Sequence, residues 1–133
     1  MGAAQVIVDA SALIAILLRE PEKERFRELI AQDIEPVMSP VNYLEAAVRA
    51  DGLGNEMAAG FDELFGETEI TLVPIDKEQA KLAREAYARY GKGNHEARLN
   101  LGDCFAYALT KARSEKLLFK GDDFRLTDVE AAL

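Results

Sequence analysis

The chain has 133 residues, a common length for one domain and enough to bury roughly two thirds of the surface of the unfolded polypeptide, so residues 1–133 are expected to form one domain. A single cysteine, Cys104, excludes an internal disulfide framework; with a single histidine, His95, it argues against a structural zinc site, and a reducing, cytoplasmic setting is expected. The net charge of −8, from 24 acidic and 16 basic side chains, argues against non-specific binding to nucleic acid, so any such role must rest on a local site.

Strand and helix patterns alternate along the chain, which predicts an α/β fold with a parallel sheet covered by helices. Gln5–Val8 is a short β-branched run and reads as a buried strand. Residues 11–18 and 21–31 read as helices, with Pro21 suited to a first helical turn. The apolar run at 10–18 is too short to span a bilayer and has no basic lead, so neither a leader nor a membrane anchor is expected. A brief strand at 37–38 runs into Ser39 and Pro40, an N-cap and N1 pair for a helix to about Ala50. Gly52 and Gly54 break it, and another helix spans 55–65. A third strand is expected at 70–73. Asp76 with Gln79 resembles a capping box for a helix reaching Tyr90, with Ala83, Ala86, Tyr87 and Tyr90 as its apolar stripe. After a loop at 91–94 comes the strongest helical pattern, over 101–114: Leu101, Cys104, Phe105, Ala108, Leu109 and Ala112 repeat as a core-facing stripe. A fourth strand is expected at 117–119, ended by Gly121-Asp122-Asp123, and a short fifth at 127–129.

Acidic residues fall at telling places in this order. Asp9 directly follows the first strand, and ligands of open parallel sheets bind beyond the strands' carboxyl ends; Asp9 or Ser11 can equally serve as the cap of the next helix. Glu45 lies within the Val41, Leu44, Val48 stripe, where a carboxylate must be paired or bound to a metal if it is buried; an ion pair with Arg49 or Arg98, or a place at the stripe's edge, are the plainer alternatives. Asp103 opens the best helix, and with Asn100 can form a cap. Asp122 and Asp123 follow the last clear strand as Asp9 follows the first, or they simply form a polar turn. Acids from two strand ends and two helices would repel one another, and a divalent cation reverses that cost. Oxygen ligands without His or Cys suit Mg2+ or Mn2+, ions that activate water and stabilise charge on a phosphoryl group.

The segments Val6-Ile7-Val8-Asp9-Ala10-Ser11-Ala12-Leu13, Asn100-Leu101-Gly102-Asp103-Cys104-Phe105 and Leu118-Phe119-Lys120-Gly121-Asp122-Asp123-Phe124, in this order and spacing with Glu45 between them, resemble the PIN domains of the VapC branch over essentially the whole chain. The resemblance implies a three-layer α/β/α PIN-like fold with a short, mainly parallel sheet of four to five strands. It implies a Mg2+- or Mn2+-dependent endoribonuclease that leaves a 5′-phosphate, the toxin of a toxin–antitoxin pair, usually a homodimer and inhibited by a VapB antitoxin. Asp9, Glu45 and Asp103 match the family's acidic triad, with Asp9 and Asp103 as direct metal ligands. The fourth acid is assigned to Asp122, with Asp123 as its substitute, because this chain has Phe119-Lys120-Gly121 where many PIN domains have Thr-x-Asp. Ser11 matches the polar residue that supports the first acid. Candidate RNA-binding cations are Arg84, Arg89, Lys92 and Arg98, with Lys111, Arg113, Lys116 and Lys120 as a second set. The candidate dimer surface is the exposed apolar part of residues 12–18 and 42–65.

Two readings from other classes compete. A phosphatase using Asp9 as nucleophile would carry a second aspartate two residues on, where this chain has Ser11. A non-catalytic PIN-like module that binds RNA or a partner would not need the full set of acids.

Overall fold

The computed structural model describes residues 4–32 and 34–133. Its elements in chain order are β1 (Gln5–Val8), α1 (Ala10–Leu17), α2 (Lys23–Ile30), β2 (Glu35–Met38), α3 (Pro40–Gly52), α4 (Asn55–Thr68), β3 (Thr71–Leu72), α5 (Lys77–Tyr90), α6 (Leu101–Arg113) and β4 (Lys116–Leu118). A 3-10 turn at Asp123–Leu126 follows. The sheet runs β3-β2-β1-β4 with every pairing parallel.

Alternate side chains of a strand point to opposite faces, and β1 divides accordingly. Val6 and Val8 join the core beneath α1–α4, together with Met38 and Leu118. Ile7 joins the other core, with Val37 and Leu117, beneath α5 and α6. Both faces of the sheet are thus covered, giving three layers, and this is why the strands are continuous apolar runs rather than alternating ones.

Several sequence expectations change in three dimensions. Residues 127–129 form no strand; the chain there only crosses beside the sheet, touching it through an isolated bridge between Leu117 and Ala131. Pro21 precedes α2 in a turn rather than opening it, since the helix starts at Lys23. Gly52 remains inside α3, and the break comes at Gly54, whose φ of 113° no helix accommodates. Asp76 caps α5 through Gln79 N at 2.9 Å, but the Gln79 side chain turns to Pro74 O, so the box is not reciprocal. The stripe on α6 is displaced: Leu101 is 68% exposed, and the buried face is Cys104, Ala106, Tyr107, Ala108, Leu109 and Thr110. The expected dimer surface on residues 12–18 is largely withdrawn too, because Ala12 to Ile16 are all buried; exposed apolar side chains in the other expected part are Leu44, Val48 and Leu53.

Candidate active site

The carboxylates gather where the parallel strands end. Asp9 N–H donates to Leu118 O at 2.9 Å, which fixes the residue after β1 against the end of β4. The Asp9 side chain caps α1 by accepting from Ser11 N at 3.1 Å. The Ser11 hydroxyl donates to the same oxygen, Asp9 Oδ2, at 2.6 Å and accepts from Lys120 N at 3.0 Å. Ser11 therefore ties the first acid to the segment that follows β4. Capping and a functional position coexist here, because the cap engages Oδ2 while the carboxylate stays at the sheet edge.

Glu45 reaches the same place from α3. Ser39 caps that helix by accepting from Val41 N, and Pro40 supplies a preset first turn. The basis for Glu45 differs from the sequence reading. Leu44 and Val48 point outward, 59% and 58% exposed, and the buried face of α3 is Asn42, Ala46 and Ala50. Glu45 sits at the boundary of that inner face, and the described residues offer it no ion pair with Arg49 or Arg98; its partner is Asn42, whose Nδ2 donates to Glu45 Oε1 at 2.9 Å.

Asp103 arrives from α6, which runs back towards the start of β4 and so presents its first turn to the opposite edge. Asn100 and Asp103 form a full capping box: Asp103 N donates to Asn100 Oδ1 at 2.8 Å and Asn100 N donates to Asp103 Oδ2 at 3.0 Å. The other oxygen of Asp103 is left for the site.

The last acids come from the turn after β4. Gly121, with φ 104°, supplies a left-handed step. Phe124 then anchors the turn, buried and packed on Phe119 with ring centroids 5.2 Å apart. The two aspartates between them diverge. The Asp122 side chain is 96% exposed and lies 3.9 Å from Arg125 Nε. Asp123 is the one whose charge bears on both Asp9 and Asp103.

The electrostatics bind the four elements into one cluster. Burial raises the Asp9 carboxyl, hydrogen bonds from Ser11 oppose the rise, and the Asp123 charge adds to it. Burial likewise raises Glu45, against the Asn42 bond and with repulsion from Asp9. Asp103 is pushed up to about 7, first by burial, then by repulsion from Asp9, Glu45 and Asp123, while the Asn100 backbone bond works against it. Among the described residues no three such side chains stand close enough together to hold a metal ion as they are placed. The donor chemistry is oxygen alone: Cys104 is fully buried, its thiol pushed up to about 11 by desolvation and by Asp103, and His95 Nδ1 is spent accepting from Ala97 N. A hard divalent cation such as Mg2+ or Mn2+ fits such a set, and zinc does not.

The candidate cations also sort themselves. Lys111 and Arg89 pair with Asp128, Lys116 with Glu130, and Lys120 with Glu20 and Glu22. Arg113 donates to Gln5 Oε1. Arg84, Lys92 and Arg98 are exposed and make no ion pair with the described residues. Arg98 stands two residues before the Asn100 cap, in a loop folded by Lys92 N to Leu99 O and Leu99 N to Tyr90 O bonds. Among the described residues no helix is long and apolar enough to cross a membrane.

The PIN domain family matches residues 6–130, a span that holds all these acids. A ribonuclease VapC of Mycolicibacterium smegmatis is 46% identical over 127 residues, covering 95% of this chain and 98% of that protein. Among solved structures, the Mycobacterium tuberculosis toxin VapC20, which cleaves the sarcin–ricin loop, superposes with a TM-score of 0.74 at 15% identity over 94% of this chain and 96% of its own. VapBC2 of Rickettsia felis, solved with a DNA fragment from its promoter, does so with a TM-score of 0.72 at 9% identity, covering 95% of each chain.

Proposed function

The chain belongs to the VapC branch of the PIN-domain family, and from that membership we propose that it is a metal-dependent endoribonuclease, the toxin of a toxin–antitoxin pair. The observation that carries the reading is the group of Asp9, Glu45, Asp103 and Asp123, brought from four separate parts of the chain, where burial first and the charges of the other acids second raise Asp103 to about 7. Such an arrangement is costly to folding and is relieved by a cation that favours the ionised carboxylates.

Asp9 and Asp103 are the metal-holding residues, each with one oxygen engaged by its cap and the other available. Asp123 takes the place of the fourth acid in preference to Asp122, whose exposed side chain turns to Arg125. When bound, Mg2+ or Mn2+ supplies a lowered pKa for water and charge stabilisation for the phosphoryl group. Glu45 orients the attacking water and accepts its proton at a carboxylate oxygen. Ser11 holds Asp9 Oδ2 in place through its hydroxyl. Arg84, Lys92 and Arg98 draw in the RNA backbone, which the net charge of −8 would otherwise repel. A VapB-type antitoxin is the expected partner, supported by the toxin–antitoxin complex among the structural neighbours, and a second copy of the chain is a further expected partner on the strength of the family resemblance.

Purified, antitoxin-free protein incubated with structured RNA tests the reading. Cleavage is expected with Mg2+ or Mn2+, to stop with chelator, and to fall at least about 100-fold in Asp9→Ala and Asp103→Asn. Activity that survives chelator or both substitutions refutes it; binding of metal and RNA without cleavage supports the non-catalytic module instead.

A further inference from the structure

The Asn42 side chain is completely buried on the inner face of α3, yet its neighbours on that face are the small apolar Ala46 and Ala50. Its Nδ2 donates twice, to Glu45 Oε1 and to Gly102 O, each at 2.9 Å. The amide orientation follows from these partners, since both accept and neither can donate. Its Oδ1 is buried with no hydrogen-bond partner among the described residues. A buried acceptor left without a donor works against folding, so packing alone is a poor reason for this residue. Gly102 completes the arrangement: a Cβ at that position would fall on the Glu45 carboxylate. The carboxylate is thus pressed flat against the first turn of α6, one residue from Asp103, and held there from the side by Asn42.

We infer that Asn42 is the positioning residue for Glu45, fixing its carboxylate beside Asp103 by bridging it to the Gly102 carbonyl, while the bare Gly102 backbone makes room for it. The inference rests on the nuclease reading of the site. Asn42 donates to Glu45 and to the Gly102 carbonyl, and so acts through Glu45. It also aligns α3 with α6, so that two acids from different helices keep one spacing.

A mutant cycle on the full chain tests this, with Mn2+ affinity by calorimetry and steady-state RNA cleavage as readouts. Asn42→Ala is expected to lower kcat at least about tenfold with KM for RNA within about twofold, and to weaken Mn2+ binding at least about threefold. In a Glu45→Gln background the same change is expected to alter Mn2+ affinity by less than about 1.5-fold. Asn42→Ser, which can reach only one of the two acceptors, serves as a milder second variant with the same direction of effect. Losses that add in full to those of Glu45→Gln, or that vanish once values are expressed per folded molecule, overturn the inference. If Glu45→Gln is damaging and both Asn42 variants are neutral, the inference falls alone. If Glu45→Gln itself changes neither readout, the site reading falls and takes the inference with it.

Discussion

Replacing Asp103 by Asn should make the metal-free protein more stable at pH 8, although it removes a residue of the candidate site. The Asp103 carboxyl moves from 3.8 to about 7 on folding, driven first by burial and then by Asp9, Glu45 and Asp123. Between those two values the folded protein keeps a proton that the unfolded chain has released. Stability therefore declines as pH rises from about 4 to 7, and above 7 the folded state bears the whole penalty. Each pH unit in that window is worth at most about 1.4 kcal/mol, a ceiling of about 4 kcal/mol; solvent reaches this side chain, and screening brings the expectation to about 2 kcal/mol. The amide introduced by Asp103→Asn carries no charge and can still accept from Asn100 N, so the cap survives. Thermal unfolding followed by circular dichroism in chelator should show the variant about 6 °C above the wild type at pH 8, the gap closing towards pH 4. Adding Mn2+ should reverse the order, since only the wild type gains from the cation. Parallel melting curves for the two proteins across pH 4–8, or a variant less stable at pH 8 without metal, would refute the account of a repelling, desolvated carboxylate.

The two aspartates of the last turn should separate in function: Asp123→Asn is expected to cut kcat at least about tenfold and Asp122→Asn less than about twofold in the same RNA assay. Tyr107 donates to Asp128 Oδ1 at 2.7 Å and, with Lys111, fastens the chain beyond the last turn onto α6. Tyr107→Phe should cost about 1–2 kcal/mol in denaturant unfolding, at the lower end for a charge-assisted bond because Asp128 is partly exposed, and leave cleavage within about twofold.

What could be read from the sequence was what depends on near neighbours. Asp9 after β1, the Asn100–Asp103 cap and the Ser39-Pro40 helix start are all settled within a few residues, and each lies where the pattern put it. Three-dimensional choices were harder. The Val41, Leu44, Val48 repeat is a genuine apolar stripe, but periodicity does not say which stripe faces inward, and here the smaller Ala46 and Ala50 meet the core. Glu45 was singled out by a stripe that proves to lie on the surface. Asn42 went unnoticed for the same reason, although its place three residues before Glu45 and four before Ala46 was the available signal. Between the two aspartates the sequence reading put Asp122 first and Asp123 as its substitute; in the turn between the left-handed Gly121 and the Phe124 anchor, Asp122 is the one that turns outward to Arg125. The proposed fifth strand had the right composition, but the chain meets the sheet only at Ala131.

The Ser11 hydroxyl and the Asp9 amide reach across 109 residues of chain, to Lys120 N and Leu118 O. β1 precedes its partner β4 in synthesis by the whole of α1 to α6. A growing chain consequently carries its first acid through the synthesis of all six helices without the bonds that seat it. Neither a nascent chain nor a fragment cut before Lys116 can hold the assembled cluster. For a protein whose proposed substrate is RNA, this topology delays the hazard until β4 has been made.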